Sequence, residues 1–408
     1  MKLATYDTHL TYCSNIHPGE DWQQVFANLK QYVPALKSKI SPEAPFGIGL
    51  RLADLASREL LKQDNLSRFK LWLERENLYV FTLNGFPYGG FHHQVVKDKV
   101  YAPDWSKPER LDYTLRLVEI LADLLPSGIE GGISTLPISY KPWWHNNLTA
   151  KEAIFKQSSI NLAIVTAKAI AVQQETGKVL HLDIEPEPDG LLENTAEVID
   201  FFEHWLLPHG GAYLAQHLGI SQQLAESKLR EHICLCYDTC HFAVEYEQPA
   251  EVFARLPAAG IKIGKIQLSA AIGVDLTSER QTRAKIAQRL QPFAESTYLH
   301  QVIERQDNGK LNHYSDLVRA LPYLEKSSAS QWRIHFHVPI FVKDYYLIQS
   351  TQDDLLEVLN LLSDNPICQH LEIETYTWEV LPQKLKTDLL TSIQQEYEWV
   401  LHHLQVNK

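Results

Sequence analysis

Residues 181–190 read H-L-D-I-E-P-E-P-D-G, an apolar and acidic alternation that breaks at proline. In an extended segment this puts Asp183 and Glu185 on one face, opposite Leu182 and Ile184. Two acids on a face that should be buried need a partner, and a cation or a substrate supplies one. Glu187, further into the loop, reads as a solvated neighbour. The pattern recurs at 370–378, H-L-E-I-E-T-Y-T-W, with Glu372 and Glu374. Residues 234–242, C-L-C-Y-D-T-C-H-F, place Cys234, Cys236 and Asp238 on one face, and His241 follows in a turn. An Asp and a His so placed suit a hard to borderline divalent ion: Mg, Mn, Fe, Co or Zn. His241 could equally orient the aspartate or a substrate hydroxyl. In W-R-I-H-F-H-V-P-I-F, residues 332–341, His335 and His337 share a face at roughly 4–7 Å, given a rise of about 3.3 Å per residue. They could share a metal or hold a substrate. Gln267, in G-K-I-Q-L-S-A-A, is either a weaker ligand through its amide oxygen or a hydrogen-bonding group.

Other stretches suggest binding, not proton transfer. T-L-N-G-F-P-Y-G-G-F-H-H-Q, residues 82–94, carries Asn84, His92 and His93 among glycines and aromatic residues, which suits a substrate-binding loop. Lys141, after I-S-T-L-P-I-S-Y, could hold an anionic or carbonyl oxygen. The cysteines of C-Y-D-T-C-H invite a zinc or redox reading, but the C-x-C and C-x3-C spacings fit neither paired zinc ligands nor a C-x-x-C redox pair. They read as small core or wall residues.

The elements that must position these groups alternate. Apolar runs at His9–Cys13, Phe46–Leu52, Tyr79–Leu83, Gly132–Leu136, Val179–Ile184, Ile233–Tyr237, Ile261–Leu268, Trp332–Val338 and His370–Thr375 read as strands. Helical periodicity lies between them at Trp22–Leu36, Glu109–Leu125, Ile154–Gln173, Thr195–Trp205, Asp354–Leu362 and Lys384–His403. This βα rhythm predicts an α/β fold with parallel strands covered by helices. No G-x-G-x-x-G follows the first strand, and F-G-I-G-L-R-L-A at 46–53 is better read as small residues in a packed strand. Acids and histidines at strand ends favour a (β/α)8 TIM barrel, whose active site forms at that edge. Nine strand candidates exceed eight, so one is peripheral or a loop. Gly273–Gln331 is long for one connection, and Y-L-H-Q-V-I-E-R at 298–305 could be helix or strand. The expectation is one barrel domain over 1–408 with an elaborated C-terminal half.

Composition narrows the function. The 408 residues are 45% hydrophobic and carry a formal charge of -12, which argues against a broad nucleic-acid footprint. M-K-L-A-T-Y-D-T-H-L-T-Y-C lacks the apolar run of a secretion signal, and no stretch approaches the eighteen apolar residues of a transmembrane span. Cys13, Cys234, Cys236, Cys240 and Cys368 are too sparse for a disulfide scaffold. A cytoplasmic protein acting on a small-molecule metabolite is expected.

Taken together, these segments resemble the xylose-isomerase-like barrel superfamily, which holds sugar isomerases, ketose epimerases and apurinic endonucleases. The resemblance implies a divalent metal at the barrel mouth. Glu185 looks like its fifth-strand glutamate, Asp238 its sixth-strand aspartate and Glu374 its eighth-strand acid. Gln267 stands where a seventh-strand histidine is common, and His335 or His337 could replace it. A closer resemblance, to the EboE family of metabolite-traffic proteins, runs through T-Y-C-S-N-I-H-P-G-E-D-W, L-N-G-F-P-Y-G-G-F-H, C-Y-D-T-C-H-F-A-V-E-Y-E and H-L-E-I-E-T-Y-T-W. It implies a place in a metabolite pathway, with other proteins of that pathway as partners, and no settled reaction. Three functions stay open. The first is a metal-dependent isomerase or epimerase of a sugar-like compound, with Glu185 and Glu374 moving protons and Glu185, Asp238, His241, His337 and Glu374 around the ion. The second is a non-catalytic barrel that binds and hands over a metabolite. The third is a metal-dependent hydrolase of a small phosphoester.

Overall fold

The computed structural model describes residues 1–3 and 7–406. Residues 4–6, inside the N-terminal stretch read above, lie outside them. Seven apolar runs form parallel strands in chain order: β1 (His9–Tyr12), β2 (Phe46–Arg51), β3 (Leu78–Asn84), β4 (Gly131–Thr135), β5 (Leu180–Ile184), β6 (Ile233–Asp238) and β7 (Ile263–Leu268). The chain then builds an antiparallel sheet from β8 (Ile272–Asp275), β9 (Val302–Arg305), β10 (Leu311–Tyr314), β11 (Gln331–Ile334) and β12 (Gln349–Ser350). It returns through helix Gln352–Asp364 to β13 (His370–Ile373), which lies parallel between β7 and β1.

The eight parallel strands run in the order β1-β13-β7-β6-β5-β4-β3-β2. The two edges meet. Cys13 bridges Gly49 in parallel register. The Thr11 hydroxyl accepts from the Gly49 amide at 2.8 Å and donates to the Gly47 carbonyl at 3.0 Å. A side chain thus supplies hydrogen bonds that a flat β1–β2 ladder would have supplied, and the sheet closes into a (β/α)8 barrel. The ninth strand candidate is the peripheral one. Of Trp332–Val338 only residues 332–334 are strand, within β11, which pairs antiparallel with β8 and β9. Residues 335–338 leave that sheet and turn toward the barrel mouth. Val302–Arg305, within the ambiguous 298–305 stretch, is strand β9.

Helix ends follow local chemistry. Asp21 caps Trp22–Ile40 by accepting from the Gln24 amide at 2.8 Å. Asn147 caps the 29-residue helix Leu148–Thr176, which stops at Gly177 in a left-handed conformation (φ 72°). Two strand glycines yield space to inward acids. A Cβ on Gly49 would lie 1.9 Å from Glu372 Oε1, and one on Gly264 would lie 2.1 Å from Asp183 Oδ1. Gly264 is the extra residue where the β6–β7 register shifts. The F-G-I-G stretch is therefore a packed strand that seats an acid, not a nucleotide loop. No helix among the described residues is long and apolar enough to cross a membrane.

Candidate metal centre

Asp238 ends β6 and at the same time caps the short helix Thr239–Val244. Its Oδ1 accepts from the amides of Cys240 (2.8 Å) and His241 (3.1 Å) and from the Ser269 hydroxyl (2.6 Å). That leaves Oδ2 buried without a partner. The D-T-C-H spacing follows from this cap. His241 is the third residue of the turn, so its ring comes back over the barrel mouth. The sequence reading placed it in a loop turn; the helix holds it more firmly.

Three histidines converge here with the same ring logic. His241 Nδ1 lies 3.1 Å from the Pro186 carbonyl, and His337 Nδ1 lies 2.9 Å from the Glu374 carbonyl. His335 Nδ1 lies 2.9 Å from Gln301 Oε1. Gln301 gives its own Nε2 to the Pro188 carbonyl at 3.0 Å, which fixes its oxygen toward the ring. Each acceptor can only accept, so each Nδ1 carries the proton and each Nε2 keeps a lone pair. Yet His241 Nε2 and His337 Nε2 face each other at 3.3 Å, and His335 Nε2 is buried without a partner. Burial pushes all three pKa values down, so protonation does not relieve the facing lone pairs. A cation does. Two nitrogens at about 2.0–2.1 Å from a tetrahedral zinc stand roughly 3.3 Å apart.

The acids surround this imidazole group. Oxygens of Glu185, Asp238 and Glu374 lie within 4.8 Å of one another; so do donors of Asp238, His241 and His337, and of Glu187, His241 and His335. Glu185 Oε2 and Glu187 Oε1 are buried and unpartnered. Burial, then neighbouring carboxylates, drives Glu185 and Glu374 well above the usual range. Burial pushes Glu187 up to about 8, although the Tyr101 hydroxyl holds it back. Glu374 Oε1 accepts from Asn15 Nδ2 (2.8 Å) and Asn84 Nδ2 (3.0 Å), which turns Oε2 toward His337. Unpartnered carboxylate oxygens and imidazole lone pairs at one point are the donor set of a divalent ion.

Above them lies a cavity of about 540 Å³. Glu185, Glu187, His241, His335 and Glu374 form its floor. Phe86, Phe91, Tyr101, Tyr298 and Tyr376 are among its walls.

The sequence-derived residues divide by place. Glu185, Asp238, His241, His335, His337 and Glu374 come together. Gln267 lies beside Asp238 in register, but its Oε1 already accepts from the Cys236 thiol at 3.2 Å. Asn84 lines the cavity and orients Glu374. His92 sits behind the wall, its Nε2 donating to the Asn15 carbonyl at 2.7 Å. Lys141 lies outside the cavity, paired with Glu193 and Glu197. Asp183 lies deeper, paired with His181 at 2.6 Å. Glu187, read as solvated, is 6% exposed and belongs to the floor. Asn15, Tyr101 and Gln301 were not foreseen; only their place in the fold reveals them.

No protein-family model and no curated protein matches the chain. Solved structures do. The IOLI protein with a bound zinc atom has a TM-score of 0.44 at 11% identity, covering 98% of this chain and 99% of that one. The probable 3-DHS dehydratase AsbF of petrobactin synthesis from Bacillus anthracis has a TM-score of 0.43 at 9% identity, covering 96% and 98%. A xylose isomerase domain protein from Alicyclobacillus acidocaldarius has 0.41 at 10% identity, covering 98% and 99%. Likenesses this distant leave the chemistry to this chain's own side chains.

Proposed function

We propose that the barrel mouth binds a divalent metal ion and serves an isomerase or epimerase of a sugar-like, polyhydroxylated metabolite. The observation that carries this reading is the set of three Nδ1-anchored histidines whose Nε2 lone pairs gather beside buried, unpartnered carboxylate oxygens. Glu185, Asp238, His241, His337 and Glu374 would hold the ion, with Glu187 and His335 beside them. A bound ion would supply Lewis-acid polarisation of adjacent substrate oxygens. Mn, Mg, Zn, Co and Fe all suit such a donor set.

The remaining work falls to the chain. Glu185 follows β5 and Glu374 follows β13, with carboxylate oxygens within 4.8 Å, so both would reach one reacting carbon. Their raised pKa values suit one carboxyl to take a proton from carbon and the other to return it. Asn15 and Asn84 hold Glu374 in one orientation. The aromatic walls cover the apolar face of a ring and exclude water. The sequence resemblance to xylose-isomerase-like barrels points the same way. Its closer likeness to the EboE family adds metabolite traffic and partner proteins of the same pathway, and the sparse cysteines suit a cytoplasmic setting.

Binding and handover without turnover is the second reading. Gln267 favours it, because its oxygen is spent on Cys236 where the resemblance implies a ligand. Two measurements decide. The protein is purified without chelator and its metal content measured, then again for Glu185→Ala and Glu374→Ala. The reading expects a near-stoichiometric ion in the parent and loss of most of it in both variants; unchanged content would sink it. The metal-loaded protein is then incubated with aldoses, ketoses and cyclic polyols in deuterated water. Deuterium at the carbon beside the carbonyl supports proton transfer by the two glutamates, whereas tight binding with no exchange and no conversion supports handover.

A further inference from the structure

A second polar cluster lies at the opposite, lower end of the barrel and takes no part in the mouth chemistry. None of its residues lines the cavity. His181 Nδ1 and Asp183 Oδ1 are 2.6 Å apart, and Asp183 stands in register with Cys234 on the next strand. A ring nitrogen of His181, a carboxylate oxygen of Asp183 and the Cys234 sulfur lie within 4.8 Å of one another. His370 stacks on His181 with ring centroids 5.2 Å apart. His181, Asp183, Cys234 and His370 are 3%, 0%, 0% and 1% exposed.

A simple His–Asp pair accounts for one contact and leaves three polar atoms unexplained. His181 Nε2, Asp183 Oδ2 and His370 Nδ1 are all buried without a partner. The His370 ring is anchored through the opposite nitrogen from those at the mouth. Its Nε2 donates to the Glu130 carbonyl at 3.0 Å, so Nδ1 keeps a lone pair. Asp183 Oδ2 and His370 Nδ1 converge over Gly132, where a Cβ would lie 2.7 Å from one and 2.9 Å from the other. On the facing side, a Cβ on Gly264 would collide with Asp183 Oδ1 and with His181 Nδ1 at 2.6 Å. Two glycines thus keep the space between these side chains free.

We propose that the barrel foot is a second metal site, in which His181, Asp183 and Cys234, with His370 as a fourth donor, bind a zinc-type divalent ion. One sulfur, imidazole nitrogens and one carboxylate oxygen form a softer set than the mouth, and such sets favour zinc among the common divalent ions. The ion would tie β5, β6 and β13 together beneath the mouth. It is structural, because all four side chains are buried and none of them lines the cavity at the mouth.

The test separates the foot from the mouth. The full chain carrying Glu185→Gln and Glu374→Gln is stripped with chelator, then offered Zn(II) or Co(II). The expected result is about one tightly held ion per chain, with a thiolate-to-cobalt charge-transfer band in the Co(II) form. Cys234→Ser in that background removes the band and weakens zinc binding by about 10-fold or more, whereas Cys240→Ser, at the mouth, leaves both unchanged. Zinc raises the melting temperature of the mouth-disabled protein and not that of its Cys234→Ser derivative. If that protein folds and holds no ion, or the cobalt band survives Cys234→Ser, the foot site is wrong. Failure of the mouth reading shows separately, as parent metal content that Glu185→Ala and Glu374→Ala do not lower.

Discussion

Single side chains at the mouth are set by what their second polar atom does. Gln301 never reaches the carboxylates, yet it fixes the His335 tautomer. Asn84 does the same for one oxygen of Glu374. Gln301→Ala and Asn84→Ala should therefore weaken divalent-ion binding by about 10- to 100-fold without unfolding the chain, as read by titration with a competing chelator. An unchanged affinity in both would mean that these contacts only pack. The titrating groups give a pH signature. Glu187 has a folded-state pKa of about 8 against an ordinary 4.5, and Glu185 and Glu374 are raised as well. The folded, ion-free protein thus holds more protons than the unfolded chain, and its stability falls as pH rises through that range. The buried histidines, lowered from 6.5, act in the opposite sense but only below 6.5. Between 6.5 and about 8 the buried N-terminal amine, lowered from 8.0 to about 4, still opposes the acids, but it is one group against several. The ion-free melting temperature should fall across this window, and a saturating divalent ion, which holds the charged forms, should reduce the fall. Calorimetry at several pH values with and without the ion checks both signs.

At the scale of elements, the barrel interior trades small residues for charged ones. Glu372 on β13 lies against Gly49 of β2 and pairs with the ammonium of Lys265 on β7, both fully buried. Burial alone would lower the Lys265 pKa, but Glu372 beside it raises it, so the ammonium stays charged. Gly49→Ala would drive a methyl into the carboxylate and to 2.7 Å from the Tyr12 carbonyl. A loss of about 1–3 kcal/mol is expected, as for other overpacked cores. Lys265→Met leaves a buried carboxylate unpaired and should cost more, about 3–5 kcal/mol. Urea titration of both variants gives the order, and a Gly49→Ala protein as stable as the parent would refute the packing argument. These contacts explain what could be read in advance. Alternation along β5, β6 and β13 marked Glu185, Asp238 and Glu374, because a strand's period is local. The groups that orient these side chains come from other elements, Asn15 from 359 positions away on Glu374 and Gln301 from 34 positions away on His335, so nothing in the local spacing pointed to them. Glu187 misled for a related reason: a loop acid looks solvated until another loop is seen to cover it.

For the molecule as a whole, the decisive feature is the excursion between β7 and β13. A plain barrel would pass from one strand to the next through a single helix. Here five antiparallel strands intervene, and they deliver His335, His337 and Gln301 to a mouth whose seventh strand offers only Gln267. The excursion shares the barrel's core: Phe293, Val302, Trp332, Ile334 and Phe336 belong to the same buried cluster as Leu268 and Leu371. It is also latched to the loop after β3. Lys97 Nζ donates to the Tyr298 carbonyl at 2.5 Å and to Asp316 at 2.7 Å, and Thr297 accepts from the Val96 amide at 2.7 Å. A unit so joined should not melt by itself. We therefore expect one cooperative thermal transition, with tryptophan fluorescence, reporting Trp332 in the excursion and Trp105 beside the barrel, coincident with far-ultraviolet dichroism. Lys97→Met should loosen the latch and the cavity roof before the barrel, speeding amide exchange in residues 295–301 while the exchange of β4 and β5 stays slow. Two resolved transitions, or an excursion that exchanges freely in the parent, would show that it folds apart from the barrel and that the histidines reach the mouth only by docking.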